Sequence, residues 1–526
     1  MMNKSIEASE ENLLHIYNRF PIAFEHGEGM YLYDENSKKY LDFGAGFAVS
    51  ALGYGNKKLA KALKKQIDLL YHTSNLYYHK NCAEAAEKLN QYAQMDKIFF
   101  TNSGAEAIEG ALKTARRYAY NKKSGKYQFI AMENSFHGRT FGALSVTGHE
   151  AYRTPFEPLV PGVSFAEFNN IESVKKLVTD RTCAIILEPI QGEGGIHPAT
   201  QEFMEAVRKL CDEKDILLIF DEVQCGMGRS GSMFAWQGYG VKPDILAMAK
   251  GIGSGIPVGA FAVTKKVAEN SLKPGDHGAT YGGNPLACKA VKTVLDIFEE
   301  EDILGHVKEI TPYLEAKLDS LTEELDCVLE RRGKGLIQGI VLKQPVAEVC
   351  TKAMEEGLLV IQAQGNVLRL VPPLIVEKEH VDEMIEKLDA DELDALVIPV
   401  LSVNSDFIAI ANIGASDCYF GVSKSRPDLL KELNSAMEEI NNTETDYSSK
   451  LYARYEGKAV INYALNKEEK QWLDAHENTI RVGYLKDNLP FCGEENGKLT
   501  GILGTVLDTV QEKYKITIKA VPCSTG

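Results

Sequence analysis

The sequence predicts an α/β fold, and three features predict it. Short apolar runs such as Leu217-Leu218-Ile219-Phe220 and Ile245-Leu246-Ala247-Met248-Ala249 carry no polar break, as expected of strands buried on both faces. Each run stops at a charged residue, Asp221 in the first case and Lys250 in the second, followed by a glycine-rich turn. Segments with apolar residues at helical spacing lie elsewhere along the chain, Lys57–Leu70 (Leu59, Leu63, Ile67, Leu70) being one. Ligands of open α/β sheets sit outside the carboxyl ends of the strands, so Asp221 and Lys250 are expected at one rim.

The composition narrows the function classes. The 526 residues are too many for one ordinary core. The apolar and charged fractions, 44% and 25%, are those of a globular protein. Asp and Glu outnumber Lys and Arg by 74 to 58, and the net charge of −16 speaks against nucleic acid or an anionic membrane as partner. Ten scattered cysteines without a CxxC pair argue against a disulfide framework or zinc site and suit a reducing compartment. The N-terminus has charge throughout and no apolar core of a signal peptide, and no uncharged stretch reaches the ~18 apolar residues of a membrane span. A cytoplasmic protein, with no membrane and no metal, is the expectation.

In chain order, Tyr31–Phe43 has a polar turn between aromatic runs and reads as a hairpin. Ile98-Phe99-Phe100 is a strand leading into Thr101-Asn102-Ser103-Gly104-Ala105-Glu106, and a helix follows with Ile108, Ala111, Leu112 and Ala115 on one face. Asn102 or Ser103 is a good N-cap. The free amides of such a helix start can bind a phosphate, although capped helices are common. Phe129–Met132 is a further strand, followed by Glu133-Asn134-Ser135-Phe136-His137-Gly138-Arg139-Thr140. Cys183–Leu187 is another, ending in Glu188-Pro189-Ile190-Gln191-Gly192-Glu193. Long helices are expected within 286–330, and a helix near His380–Leu388. Cys225, in the turn after Asp221, reads as a small turn residue rather than a catalytic thiol. Arg369 lies in an apolar, strand-like context and therefore needs an anionic partner.

A carboxylate and an amine at adjoining strand ends have two readings. One is a structural ion pair, which spacing alone favours. The other is a pyridoxal phosphate site, where the lysine condenses with the aldehyde and the aspartate keeps the pyridine nitrogen protonated. The wording around the two residues, DEVQCGMGRSG and PDILAMAKGIGSGIPVGA, resembles the class III pyridoxal phosphate aminotransferases, and the resemblance runs from about Asn18 to about Leu388.

That resemblance implies a fold-type I transferase. It has a large cofactor domain over 56–285, with a mixed, mostly parallel sheet between helices, and a small α+β domain from 1–55 and 286–388. It implies pyridoxal 5′-phosphate as cofactor, with Lys250 and Asp221 catalytic. Ser103, Gly104 and Ala105 would cradle the phosphate, Phe136 and Val223 would enclose the ring, and Gln224 would bond its phenolic oxygen. Thr280, in HGATYGGNP, would reach the phosphate of a neighbouring subunit, which implies at least a homodimer with a shared active site. Arg139 and Arg369 would hold substrate carboxylates, with Glu193 as the releasable partner of Arg369, Glu188 close behind, and Ala279 at the substrate mouth. Within the family the likeness is greatest to members acting on N-acetylornithine with 2-oxoglutarate. Many of those have Thr or Ser where this chain has Ala279. Members acting on ornithine, succinylornithine or 4-aminobutyrate share the cofactor residues.

After Leu388 the character changes. Tyr419–Lys424 and an amphipathic segment at Asp428–Asn441 resemble the end of an amino-acid-type (family 3) periplasmic solute-binding domain, and residues 480–502 resemble the start of another. The expectation is an incomplete fragment over 391–526, the end of one copy over 391–465 and the start of another over 478–526, with no intact binding site. The sensor module that such domains usually form is the rival from a different functional class. Local order is expected to be best over 480–521, with a strand, a helix and the period-two alternation of Lys515–Val521.

Overall fold

Seven strands form the sheet that positions the site: β1 (Lys97–Thr101), β2 (Gln128–Met132), β3 (Val163–Ala166), β4 (Thr182–Leu187), β5 (Leu217–Asp221), β6 (Ile245–Met248) and β7 (Gly259–Val263). They were located in a computed structural model that describes residues 4–325 and 327–389. Beyond these it describes only 407–409, 421–423, 479–485, 487–488, 492–495, 498–500, 503–508 and 517–523. The chain divides into two units, Met1–Val397 and Ile398–Gly526.

In the first unit the spatial order of the sheet is β1-β7-β6-β5-β4-β2-β3. Neighbours from β6 to β3 are parallel, while β7 runs antiparallel to both β6 and β1. The carboxyl ends of the other six strands therefore share one rim. Every residue of β4, β5 and β6 is buried, which is why these strands lack a polar face. Alternate residues face opposite layers: Leu217, Ile219, Ile245 and Ala247 pack on one side, and Leu218, Phe220, Leu246 and Met248 on the other. The first side is covered by helix α1 (Gly104–Asn121), whose Ile108, Ala111, Leu112 and Ala115 form the expected buried face.

Two four-stranded sheets and a two-stranded ribbon, Ile190–Gln191 with His197–Pro198, accompany the large sheet in the unit. Strands Phe24–Glu28, Tyr31–Asp34 and Lys39–Asp42 form a meander joined by Leu358–Leu359. The expected hairpin is present, with Tyr31 opposite Leu41 and Tyr33 opposite Lys39. Strands Val328–Lys334, Ile337–Leu342, Val367–Leu370 and Ile361–Ala363 form the second sheet, and Arg369 is buried in its interior. The long helices are Pro285–Glu300 and Ile303–Glu324, and a helix at Lys378–Asp389 follows the second sheet.

In the second unit, Phe407–Ala409 pairs antiparallel with Gly421–Ser423. Thr479–Leu485 pairs parallel with Thr517–Cys523, and a helix at 503–508 lies between them in sequence. This agrees with the strand, helix and alternating strand expected over 480–521. The expected helix at Asp428–Asn441 lies outside the described residues.

Gly110, on the buried face of α1, shows how closely helix and sheet approach. A Cβ there would overlap the Phe261 ring of β7. Helix propensity favours Ala over Gly by about 1 kcal/mol, whereas overpacking a core costs about 1–3 kcal/mol. Gly110→Ala should therefore lower the melting temperature despite the propensity gain, as differential scanning calorimetry would show.

Candidate active site

The rim of the large sheet encloses a cavity of about 480 Å³. Ser103, Gly104 and Ala105 line it from the N-cap and first residues of α1, Phe136, His137 and Arg139 from the turn after β2, and Glu188 from the turn after β4. Asp221 ends β5, with Val223 and Gln224 beyond it, and Lys250 follows β6. Asp221 and Lys250 thus face a common space, as their positions at adjoining strand ends predicted.

Backbone conformation aims these groups. Lys250 has φ +48°, a left-handed conformation uncommon for a side-chain-bearing residue, and it turns the chain sharply off β6. Ser103 caps α1, its Oγ accepting from Glu106 N at 3.2 Å. The first amides of a helix have no intrahelical carbonyl partner, and here they open on the cavity. Gly104 is required by packing, because a Cβ would stand 2.9 Å from Val223 Cγ1.

Asp221 is held from two sides. Val223 N donates to Oδ1 at 3.0 Å, and His137 Nδ1 lies 2.7 Å from Oδ2. Both side chains are buried, and His137 Nε2 has no partner among the described residues. With the carboxylate ionised, Nδ1 is the donor, which fixes the tautomer of the ring. His137 was not singled out by sequence reasoning. It stands 84 positions from Asp221, and only the pairing of β2 and β5 with β4 brings the two together. Val49 and residues 255–258 also line the cavity. They carry no chemical signature that a sequence could display.

Glu188 accepts from Phe136 N at 3.0 Å and Gly192 N at 3.2 Å. Burial pushes its pKa up to about 7, with the Asp221 carboxylate adding to the rise and His137 opposing it. Enclosure pushes the Lys250 amine down to about 8. Glu193 and Asp221 oppose that shift and Arg369 adds to it. Arg369 is fully buried: Nη1 donates to Glu193 Oε1 at 2.7 Å and Gln224 Oε1 at 3.1 Å, and Nη2 donates to Glu193 Oε2 at 3.2 Å. Burial alone would raise the Glu193 pKa, but the Arg369 guanidinium holds it below the usual range. Arg369 thus has the anionic partner its sequence context required. Arg139 is exposed, with its guanidinium 3.6 Å from the Tyr152 ring centroid.

Thr280 and Ala279 do not line the cavity of their own chain. Thr280 is exposed, in a loop held by Asn75 Nδ2, which donates to Ala279 O at 3.0 Å and Gly282 O at 2.9 Å.

These residues fit a phosphorylated planar ring. A helix start rich in free amides lies along one wall, a buried carboxylate along another, and an amine faces the same space. The aminotransferase class-III family model matches residues 15–390. The chain belongs to the aminotransferase class-III family. Its cofactor is pyridoxal 5′-phosphate. An acetylornithine aminotransferase of Aquifex aeolicus is 47% identical over 377 residues, covering 72% of this chain and 98% of that one. Another, from Methanocaldococcus jannaschii, is 47% identical over 386 residues, 73% of this chain and 96% of its own. Among solved structures, an ornithine aminotransferase of Toxoplasma gondii superposes with a TM-score of 0.71 at 28% identity, covering 74% of this chain and 95% of that chain. An acetylornithine aminotransferase of Elizabethkingia anophelis gives 0.66 at 29%, covering 74% and 98%. The family match ends at residue 390, and the likeness of 391–526 to solute-binding domains has no support among these matches.

Two outcomes are expected. Hydrogen bonds to charged groups contribute about 1.5–3 kcal/mol, so His137→Phe should lower kcat roughly ten- to a hundredfold and weaken cofactor retention on dialysis. In cofactor-free protein, labelling of Lys250 by an amine-acylating reagent should rise with pH through a midpoint near 8, because only the neutral amine reacts. Peptide mapping across a pH series measures it.

Proposed function

We propose that this enzyme transfers the δ-amino group of N2-acetyl-L-ornithine to 2-oxoglutarate, giving N-acetyl-L-glutamate 5-semialdehyde and L-glutamate, a step of arginine biosynthesis. The observation that carries the reading is the Arg369–Glu193 pair, which meets the wall of the Lys250 cavity through the hydrogen bond from Arg369 Nη1 to Gln224 Oε1. The two substrates make opposite demands there. The donor presents an uncharged carbon next to its reacting amine, and Arg369 then needs its own counter-ion. The acceptor places a carboxylate beside its reacting carbonyl, and Arg369 must be free to receive it. A glutamate that leaves or returns satisfies both demands. The near full-length likeness to acetylornithine aminotransferases at 45–47% identity supports the choice of donor.

The roles follow. Ser103, Gly104 and Ala105 would hold the phosphate, and Phe136 and Val223 would enclose the ring. Asp221, oriented by His137 and Val223 N, would pair with the protonated pyridine nitrogen, and Gln224 would bond the phenolic oxygen. When bound, the cofactor supplies an aldehyde for the amine and a ring that accepts the electron pair released at the substrate carbon. Lys250 Nζ takes the proton from the carbon bearing the amine and returns it on the other side of the exchange. Arg139, exposed at the mouth, and Arg369, inside, take the two carboxylates of 2-oxoglutarate; their planar forks suit bidentate capture. Glu188 supports the Phe136 turn by accepting from its backbone N–H, and Ala279, next to Thr280, borders the substrate mouth of the neighbouring subunit.

The active unit is a homodimer in the cytoplasm. Tyr71, Leu76, Tyr77, Tyr78 and Tyr281 are exposed, in segments joined by the His72–Tyr281 ring contact and the Asn75 hydrogen bonds to the Thr280 loop, and exposed apolar side chains gathered in this way suit a subunit interface. Thr280 reaches the phosphate of the neighbouring subunit. Each subunit divides into a large cofactor domain over 56–285 and a small domain from 1–55 and 286–388.

Assayed with 2-oxoglutarate, N-acetylornithine should give the highest kcat/KM in a donor panel including ornithine, succinylornithine and 4-aminobutyrate. A better rate with any other donor would reassign the substrate. Thr280→Ala should weaken cofactor retention without altering the sedimentation coefficient of the dimer.

A further inference from the structure

Arg229 lies in the glycine-rich turn beyond Gln224 and is 2% exposed. Among the described residues, no carboxylate forms an ion pair with it. Nη1 instead donates to two carbonyls, Leu336 O at 3.2 Å and Pro372 O. A buried cation held only by neutral acceptors is costly. Burial pushes its pKa down to about 9, and the Asp42 carboxylate, acting through space, is the group that opposes this.

The partners of this cation lie on both sides of Arg369. Pro372 stands just beyond Arg369 in the chain, where strand Val367–Leu370 leaves the second small sheet. Leu336 joins the two strands at Val328–Lys334 and Ile337–Leu342, and its N–H donates back to Arg229 O at 2.8 Å. The strand Ile337–Leu342 pairs with the Arg369 strand, Gly339 opposite Arg369. On the other side, Asp42 accepts from Gly44 N at 2.7 Å and Ala45 N at 3.0 Å, and also from Tyr54 OH. These contacts hold the start of a turn in which Ala45, Gly46, Phe47 and Ala48 all have positive φ, between 45° and 65°. A left-handed conformation costs roughly 1–2 kcal/mol per non-glycine residue, so the turn needs such anchoring. It brings the Phe47 ring to 5.4 Å from the Arg369 guanidinium. Gln224, at the near end of the Arg229 turn, contacts Arg369 directly.

We infer that Arg229 is a positioning residue: wedged between Pro372 O, Leu336 O and the field of Asp42, it sets where Arg369 stands relative to the Lys250 cavity. The inference rests on the reading of Arg369 as the anchor of a substrate carboxylate. Its geometry needs the length of an arginine: both carbonyls take their protons from Nη1, one bond farther out than a lysine Nζ. A lysine keeps the charge but offers a compact point donor that does not reproduce the planar geometry.

The test uses full-length holoenzyme and two substrates, 2-oxoglutarate and 1,5-diaminopentane, an amine without a carboxylate. Arg229→Lys should raise KM for 2-oxoglutarate about tenfold. The cofactor absorption spectrum and the half-reaction with 1,5-diaminopentane should stay within about twofold of the parent. Asp42→Asn should give the same split and decides the matter if Arg229→Lys fails to fold. The double variant R229K/R369K should be no worse toward 2-oxoglutarate than R369K alone, since groups acting through one another are not additive. Equal losses on both substrates, or multiplied losses in the double variant, overturn the inference. If Arg369→Lys leaves KM for 2-oxoglutarate unchanged, the carboxylate reading fails and the inference with it. If Arg369→Lys raises that KM while Arg229→Lys and Asp42→Asn do not, the inference alone fails.

Discussion

An amine kept out of water is the constraint on which the site depends. Enclosure disfavours the protonated form of Lys250, and the surrounding carboxylates Glu193, Asp221 and Glu188 only partly offset it. The result is a lysine with a substantial neutral fraction at near-neutral pH, which an exposed lysine lacks. The buried sheet makes this possible. Strands β4, β5 and β6 have no solvent face, so groups at their carboxyl ends stand in a low-dielectric setting while their backbones stay rigid.

Enclosing one charge forces others in with it. Asp221 is buried and needs His137 and the Val223 amide. Glu188 is buried and takes two backbone N–H groups. Arg369 is buried and takes Glu193 and Gln224. Each pair is a local answer to the cost of desolvation.

Much of this was legible in the residue order, for physical reasons that differ by element. The buried strands were visible as unbroken apolar runs, and Leu217–Phe220 is β5 apart from its last residue. The face of α1 was visible from its spacing, and Ser103 from its capping chemistry. The need of Arg369 for an anion followed from its apolar neighbours, whereas the identity of that anion, 176 positions away, came only through family likeness. His137 and Arg229 stayed hidden for a common reason. Their significance lies in partners distant in sequence, and for Arg229 those partners are main-chain carbonyls, which every residue has. The left-handed turn at 45–48 was equally hidden, because only Gly46 within it hints at positive φ.

The single reversed strand has a consequence for how the site tolerates change. Because β7 returns beside β6, residues 249–258 must cross from one strand end to the next without leaving the rim. Gly259 pairs with Thr101 at the far side of that crossing, and a Cβ on it would strike the Ser103 carbonyl. The segment is pinned at both ends by ladder hydrogen bonds, so it works as a fixed gauge between the Lys250 amine and the start of α1. Lengthening or shortening it by one residue would shift one end of the cofactor cradle against the other.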